Sequence, residues 1–305
     1  MMGDTKRSFV PGDEWLYYKI YSGPKTADMV LTQVVQPVAE ALLENGVIDH
    51  WFFIRYRDPK LHLRVRFHIK DANRQSEVLN AMGGLLGDYM AKDLIWKVQM
   101  DTYQREIERY GARSIDLCEL IFFEDSKMIA SLVDLTEGNE GEELKWLFSM
   151  RATDELLELA TFTEEGKLHL MESMKESFAN EHNMDRNLKK QLDSLYRSKR
   201  HNIDTFMKMT VTNNDELAPL LYILEEKSAA LRPVMQEVVR RYKDKELEMP
   251  IDDLMRSLIH MLMNRIFRDR NRLHEMVLYD FLYRSYKSDW ARKKYQKKEK
   301  ERVEA

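Results

Sequence analysis

The sequence contains few of the residues that interrupt helices or cross-link chains. A single cysteine, Cys118, excludes an internal disulfide, and no group of Cys and His residues has the spacing of a zinc site. Only 11 glycines and 7 prolines occur in 305 residues, which favours long helices over many short strands. No window approaches about 18 uncharged apolar residues, so the sequence predicts no membrane-spanning helix.

Charge and the N-terminus argue against two further classes of protein. The formal net charge is −4, so no overall positive field indicates a nucleic-acid-binding protein. Residues 1–11 lack the apolar region of a signal peptide. With 44% hydrophobic and 33% charged residues, the composition is that of a globular protein with a strongly charged surface. We expect a cytoplasmic protein that uses no metal and no cofactor.

The first 112 residues have the pattern of a small mixed α/β fold. The predicted strands cover residues 14–21, 50–57, 61–69 and 94–103, and the predicted helices cover residues 26–43 and 73–90. The resulting β-α-β-β-α-β order is that of a ferredoxin-like arrangement, in which an antiparallel sheet carries two helices on one face. The other face is left to be covered or used.

From residue 113 onward the pattern is helical, which predicts the α+β fold class. The predicted helices cover residues 114–135, 142–149, 153–159, 163–181, 184–208, 216–242, 250–267 and 272–287, with a loop at 138–141. We divide the chain into a mixed α/β lobe with a basic sheet face (1–112), a helical lobe that completes the same domain (113–290) and a charged tail (291–305). The tail is predicted to be a solvated helix end or disordered.

Apolar and basic residues alternate along the third predicted strand. The apolar set is Leu61, Leu63, Val65, Phe67 and Ile69, and the basic set is His62, Arg64, Arg66 and His68. The basic side could be an ordinary solvent-exposed sheet face. Exposed faces usually mix signs, however, and like charges in a row repel each other unless an anion lies among them. With Arg55 and Arg57 nearby, the pattern favours an anion-binding face.

Two shorter clusters contain candidate site residues. Arg105 and Arg109 are four residues apart, so one helical turn would place both on one side, although ordinary Glu–Arg pairing between elements explains them equally well. Within an apolar helix, Ser257, His260 and Asn264 share one face. His260 is either a hydrogen-bonded core histidine or a general acid–base group.

Taken in order, these stretches resemble a known family. Residues 53–66 read FIRYxDPxxHLRxR, residues 103–111 read YxRExxRYG and residues 257–265 read SxxHMxxNR. They are similar to the C-terminal domain of class I lanthipeptide dehydratases, which also occurs as a stand-alone "thiopeptide-type bacteriocin biosynthesis" protein. The resemblance extends over residues 15–286. One departure is Ala112, where the family often has a second glycine.

The resemblance implies an activity and its partners. The substrate is a ribosomal precursor peptide whose Ser or Thr side chains have been glutamylated, and the domain eliminates glutamate to leave dehydroalanine or dehydrobutyrine. In the family, a larger domain transfers the glutamate from glutamyl-tRNA. We therefore expect a separate glutamyl-tRNA-dependent dehydratase subunit as partner, and a homodimer is left open.

The resemblance also implies roles for individual residues. The catalytic set is His260, Arg64, Arg66 and one arginine of the second motif, for which Arg105 is preferred to Arg109. The substrate-binding set is Arg55, His62, Arg109, Ser257 and Asn264. The arginines would bind carboxylates and stabilise the departing glutamate, and His260 would move the proton.

Two other functions compete with elimination. Some stand-alone members of the same fold family join two dehydroalanines by a formal [4+2] cycloaddition that makes the pyridine of thiopeptides, a reaction that gives less reason for an arginine cluster. A non-catalytic scaffold subunit could instead bind the precursor peptide by adding it as a strand to an exposed sheet edge.

Overall fold

The computed structural model describes residues 5–136, 138–181, 184–213 and 216–303. The strands in these ranges are β1 (Ser8–Phe9), β2 (Trp15–Ser22), β3 (Ile48–Arg57), β4 (Leu61–Ile69), β5 (Ile95–Met100) and β6 (Tyr103–Gln104). The four longer strands form one antiparallel sheet in the order β3-β4-β2-β5. This order confirms the ferredoxin-like prediction and makes β4, which carries the basic row, a central strand.

Three helices connect these strands. Pro24–Val30 (α1) continues through a π-helical turn at Leu31–Val35 into Gln36–Glu44 (α2), and Gln75–Ala91 (α3) joins β4 to β5. The predicted helix at 26–43 therefore contains a local widening that its apolar spacing did not indicate.

The predicted strand at 94–103 is wrong over its last three residues. The chain leaves the main sheet after Met100, and Tyr103–Gln104 pairs instead with the two-residue strand β1, with Ser8 opposite Gln104. This departure carries Tyr103 over the basic face, where its ring centre lies 4.8 Å from the Arg66 guanidinium.

The remainder of the described chain is helical, which confirms the α+β class. The helices are α4 (Ile107–Tyr110), α5 (Ile115–Leu135), α6 (Gly138–Leu159), α7 (Glu164–Glu181), α8 (Arg186–Phe206), α9 (Ala218–Lys243), α10 (Ile251–Ile266) and α11 (Asn271–Val303). Within the described ranges, no helix is both long enough and apolar enough to cross a membrane. The division at residue 112 stays a prediction.

Three features of the predicted helices differ from the structure. The predicted loop at 138–141 and the predicted break before residue 153 both lie inside the continuous helix α6. Arg151 pairs with Glu155 at 2.8 Å one turn on, and the Thr153 hydroxyl donates to the Ser149 carbonyl at 2.8 Å, so polar side chains are satisfied within the helix. Helix α11 continues to Val303 instead of ending near residue 287, and residues 304–305 lie outside the described part.

Helices cover both faces of the sheet, which therefore has a core on each side. Leu63, Val65 and Phe67 are buried on the side of α1 to α3, as the alternation predicts. On the opposite side, Phe122 of α5 packs against Phe52 of β3 with ring centres 5.4 Å apart. The part of the basic face around Phe52 and Arg66 is therefore covered by the helical region and is not open to solvent.

Side chains from two helices form hydrogen bonds with backbone groups along the free edge of β3. Ser126 Oγ of α5 accepts a hydrogen bond from the Phe53 N–H at 3.1 Å. The Asn264 amide of α10 accepts from the Arg55 N–H at 3.0 Å and donates to the Arg55 carbonyl at 2.9 Å. Because these backbone groups are already paired, a peptide cannot add as a strand there without displacing both helices.

Candidate active site

Arg66 is a buried cation that forms no ion pair with any carboxylate in the described part of the chain. Its guanidinium lies over three aromatic rings, 4.3 Å from the centre of Tyr17, 4.8 Å from Tyr103 and 5.2 Å from Phe52. Its Nε and Nη1 are buried and make no hydrogen bond to any residue that the structure describes. Burial lowers the pKa of Arg66. A charge taken out of water without a counter-ion is costly, so this arrangement suits an anionic ligand.

Arg64 lies two residues before Arg66 on the same face. Its Nε donates to His62 Nε2 at 3.1 Å, and its guanidinium carbon is 3.4 Å from the centre of the Tyr56 ring. Neither Nη group forms an ion pair within the described ranges, and the side chain is only half-buried. Since residues two apart in a strand are about 6.6 Å apart, both guanidinium groups can reach one ligand.

His62 holds Arg64 in place. Its Nδ1 lies 2.9 Å from the Lys60 carbonyl oxygen, which can only accept, so the proton is on Nδ1 and Nε2 accepts from Arg64. Burial lowers the pKa of His62, and the charge of Arg64 lowers it further. The structure therefore places His62 behind Arg64 as a neutral support, and the substrate-binding role that the resemblance implies for His62 stays a prediction.

Asp101, an acidic group that interacts with Arg64, is already engaged. Lys19 of β2 lies opposite Arg64 in register and forms an ion pair with Asp101. Asp101 thus compensates Lys19, and Arg64 and Arg66 keep a net positive potential on this part of the sheet.

Arg265 adds a second buried guanidinium close to the same aromatic cluster. It is fully buried at the end of α10, its Nη1 donates to the Met261 carbonyl at 2.9 Å, and it lies 4.7 Å from the centre of Phe122. Burial lowers the pKa of Arg265 to about 10, against the opposing charge of Asp125. The Phe122 ring separates this group from Phe52, which lies beside Arg66.

Arg105, the preferred arginine of the second motif, is occupied by a protein carboxylate. Its Nε and Nη2 donate to the two oxygens of buried Glu119 at 2.8 and 2.6 Å, and the Tyr103 hydroxyl donates to the same carboxylate at 2.7 Å. Burial disfavours the charge, but the bonds to Glu119 outweigh it and raise the pKa of Arg105. The pairing of Glu and Arg between elements, one of the two interpretations left open above, is therefore correct for Arg105.

Arg109 is brought to α10 instead. Its Nε lies 3.3 Å from Ser257 Oγ, one turn before His260, and its only ion pair among the described residues is a long one of 3.5 Å to exposed Glu106. The preference for Arg105 over Arg109 is not supported by these contacts, because Arg109 is the arginine that reaches the helix of the candidate base. The two arginines differ because Arg105 is paired with Glu119 and Arg109 contacts Ser257. Helical spacing in the sequence does not reveal these partners.

A glycine determines where α4, the short helix that carries Arg109, ends. Gly111 follows α4 with a φ of 78°, a left-handed conformation that favours glycine. A Cβ atom there would lie 2.8 Å from Ser114 Oγ and 2.9 Å from Glu248 Oε2. Any other residue would therefore shift the junction between α4 and α5, and Arg109 with it.

His260 is half of a histidine–carboxylate pair. Its Nδ1 lies 2.8 Å from Glu275 Oε1 on α11, and Glu275 is fully buried and also accepts from Arg272 at 3.1 Å and from the Tyr279 hydroxyl at 3.4 Å. A carboxylate accepts, so the His260 proton is on Nδ1 and Nε2 carries the lone pair. The His260 side chain keeps 27% exposure, which leaves that nitrogen within reach of a substrate.

Two predicted substrate-binding residues have structural contacts. The Arg55 side chain lies on the opposite face of the sheet, where it pairs with Asp28 of α1 at 2.5 Å and donates to the Arg265 carbonyl at 2.9 Å. Asn264 closes the edge of β3, as described above. The contacts of Arg55 and Asn264 are thus with the protein itself, and their role in substrate binding stays a prediction.

The sequence did not reveal the two carboxylates that pair with Arg105 and His260. Glu119 is a lone acid within the apolar run 117–123, and such an acid requires a buried partner. Arg272, Glu275 and Tyr279 recur at helical spacing on α11, which indicates one polar face. Neither signal says which element the face meets, since that depends on tertiary packing.

The fold and the motifs together define one family. Residues 15–286 match the family described as the C-terminal domain of lantibiotic biosynthesis dehydratases, and the chain belongs to it. The matched range contains all of the candidate site residues.

Individual proteins resemble this chain in sequence or in fold. The chain is 28% identical over 191 residues to the subtilin biosynthesis protein SpaB of Bacillus subtilis, a match over 60% of this chain and 18% of that protein. The chain therefore spans less than a fifth of this relative. Among solved structures, the tRNA-dependent lantibiotic dehydratase MibB from Microbispora sp. shares the fold at a TM-score of 0.70 and 21% identity, over 92% of this chain and 29% of MibB. The pyridine synthase TbtD of thiomuracin biosynthesis gives 0.62 and 12%, over 90% of this chain and 99% of TbtD.

Proposed function

We propose that this protein eliminates glutamate from glutamylated Ser and Thr side chains of a precursor peptide. The reaction removes the proton from Cα and breaks the bond between Cβ and the ester oxygen. The electron pair of the C–H bond forms the double bond, and the pair of the Cβ–O bond leaves with the glutamate carboxylate. The products are free glutamate and dehydroalanine or dehydrobutyrine.

The buried and uncompensated guanidinium of Arg66 is the observation that carries this proposal. An enzyme gains rate when a charge that develops in the transition state meets a preorganised opposite charge in a dry site. The departing glutamate carboxylate develops such a charge. Arg66 would stabilise it, and Arg64, held on Tyr56 and by His62, would bind the remaining carboxylate of the glutamyl group.

His260 and Arg109 would act on the peptide end of the substrate. The pairing with Glu275 leaves His260 Nε2 as a base for the α-proton, and the buried carboxylate stabilises the imidazolium that forms. Loss of this proton places charge on the peptide carbonyl oxygen. Arg109, in contact with Ser257 one turn away, is the cation placed to stabilise that oxygen.

The likeness to TbtD keeps cycloaddition as a second candidate, because this chain covers nearly all of TbtD. That reaction releases no carboxylate, so it gives no use to an uncompensated Arg66. The scaffold function is weakened at one sheet edge, since Ser126 and Asn264 already occupy β3. The separate glutamylating partner and the homodimer stay predictions.

A synthetic peptide with an O-glutamyl serine tests the proposal directly. The purified protein is expected to convert it to the dehydroalanine peptide, seen by mass spectrometry as loss of one glutamic acid. Arg64→Gln should lose most of this activity, whereas Arg197→Gln, at a highly exposed position, should keep it. An unchanged adduct that nevertheless binds would contradict elimination, and formation of a pyridine from a bis-dehydroalanine peptide would favour cycloaddition.

A further inference from the structure

A separate polar cluster lies at the far end of the β3–β4 pair. Asp49 Oδ1 is 2.5 Å from His50 Nδ1 and 2.7 Å from His68 Nδ1. One ligand atom from each of the three residues lies within 4.8 Å of the others. The two imidazole rings are stacked with centres 4.6 Å apart. Two ring nitrogens and a carboxylate oxygen therefore converge on one point.

A β-bulge causes this convergence. Ile48 pairs with Ile69 and His50 with His68, so Asp49 is an extra residue without a partner on β4. In a regular strand, Asp49 and His50 would point to opposite faces of the sheet. The bulge aims both side chains to the same side, where the cross-strand neighbour His68 completes the group. Such bulges often redirect a side chain next to a functional site.

The cluster has the chemistry of a transition-metal site. Imidazole and carboxylate together suit zinc and its neighbours in the first transition row. In the described chain, Asp49 has no Lys or Arg partner, so its charge is offset only by the two imidazoles. The side chains of Asp49, His50 and His68 are 39%, 12% and 24% exposed, which leaves an open side for water ligands.

We propose that Asp49, His50 and His68 form a zinc site, with water in the remaining position. The protein ligands would be the Nδ1 atoms of both histidines and the carboxylate of Asp49. Tetrahedral coordination requires ligand separations of about 3.3 Å, so the present contacts would have to open slightly. Rotation of partly exposed side chains achieves this. The ligands come from adjacent strands 18 residues apart, which is why spacing along the sequence did not indicate them.

One feature limits the affinity. Nδ1 coordination puts the ring proton on Nε2, and the Nε2 of His50 is buried without a hydrogen-bond partner. Metal-bound histidines normally donate this proton to an acceptor, and losing that bond weakens the site about 10–100-fold. We therefore expect binding weaker than that of structural zinc sites. Trp15 contacts both imidazoles and also Tyr103, whose ring lies beside the Arg66 guanidinium, and it shares no polar atom with the cluster.

Cobalt titration of the untagged, chelator-treated protein tests the proposal. Cobalt replaces zinc and gives visible absorption bands that report its coordination. We expect saturation at one Co²⁺ per chain and loss of the bands when Zn²⁺ is added. His68→Gln and Asp49→Asn should each weaken binding at least about tenfold, with circular dichroism confirming that both variants fold.

The matched control is His201→Gln, which removes an exposed histidine of α8 and should leave the titration unchanged. The proposal is overturned if no saturable bands appear, or if equally tight binding survives in both folded ligand variants. The readout does not involve glutamate elimination, so its outcome is independent of the proposed function.

Discussion

Two arginines on neighbouring strands of this protein are buried to nearly the same extent but have different surroundings. Arg55 is 4% exposed and pairs with Asp28, whereas Arg66 is 7% exposed, lies among aromatic rings and forms no ion pair with a described carboxylate. Arg55 has its charge offset by the fold itself. The charge of Arg66 is not offset in this way. Burying this charge lowers the stability of the folded protein, and proteins retain such destabilising groups where function requires them.

The two arginines of the second motif differ in the same way. Arg105 makes a bidentate pair with buried Glu119, while Arg109 is partly exposed, contacts Ser257 and has only the long pair with Glu106. In both comparisons the residue types are identical and the partners differ. We propose that the partner of a charged side chain, more than its position in a motif, distinguishes the structural arginines Arg55 and Arg105 from the candidate catalytic arginines Arg66 and Arg109.

Replacing His260 is expected to have the largest effect. His260 also tests this comparison, because it has a carboxylate partner, Glu275, and is nevertheless proposed to take part in catalysis. His260→Gln should lower kcat/KM for elimination by about 10²–10⁴-fold, since it removes the acid–base group. The melting temperature should change little, because the side chain is partly exposed and buried Glu275 keeps its contacts with Arg272 and Tyr279. Mass-spectrometric rates with His201→Gln as the matched control check this, and a rate within twofold of the parent would remove His260 from the mechanism.

Exchanging each buried arginine for methionine sharpens the first comparison. Arg66→Met should lower elimination about 10²–10³-fold and leave the protein as stable or more stable, because an uncompensated charge is removed. Arg55→Met should cost about 3 kcal/mol of unfolding free energy by leaving Asp28 with less compensation, with little effect on the activity of the folded fraction. Denaturant unfolding and initial rates measure both. A destabilised Arg66→Met would place Arg66 among the structural arginines.

The same exchange in the second motif should give smaller effects. Arg109→Met is expected to lower kcat about 10–10²-fold with an unchanged melting temperature, since Arg109 makes few contacts. Arg105→Met should instead lower the melting temperature, because Glu119 is left buried and unpaired. Combining it with Glu119→Gln should restore part of the loss, which a double-mutant cycle measures. The reverse pattern would reinstate Arg105 as the catalytic arginine.

The smallest effect concerns the support of Arg64. The pKa of His62 is lowered by burial and by Arg64, so the unfolded chain binds the proton more readily than the folded protein. This contribution to stability is fully present above about pH 6.5 and is lost as the pH falls through the lowered pKa of the folded state. His62→Gln should therefore unfold with a smaller pH dependence between pH 7.5 and 5.5. An identical pH dependence in parent and variant would contradict the neutral state of His62.

Much of the fold follows from local patterns in the sequence. The strict alternation at 61–69 gave the bounds of β4, because one face of that strand is apolar without exception. The two-residue strands β1 and β6 carry too little periodicity to be seen. The glycines at 138 and 141 indicated a loop, but a continuous helix forms there, since glycine costs a helix only about 1 kcal/mol and packing outweighs it.

The candidate site was predictable only in part. Period two placed Arg64 and Arg66 on one face, and their register opposite Phe52 and Ile54 follows from the fold. The partners of those side chains were not predictable. Glu119 meets Arg105, and Glu275 meets His260, across distances that tertiary packing alone determines.

Thermal unfolding with and without free glutamate tests the central claim most directly, because glutamate is the proposed product of the Arg64–Arg66 face. The melting temperature of the parent protein should rise with glutamate concentration, since a ligand that binds only the folded state stabilises it. Arg66→Met should melt at the same or a higher temperature without glutamate and should not respond to it. A lower melting temperature for Arg66→Met, together with an equal response to glutamate in both proteins, would contradict the account.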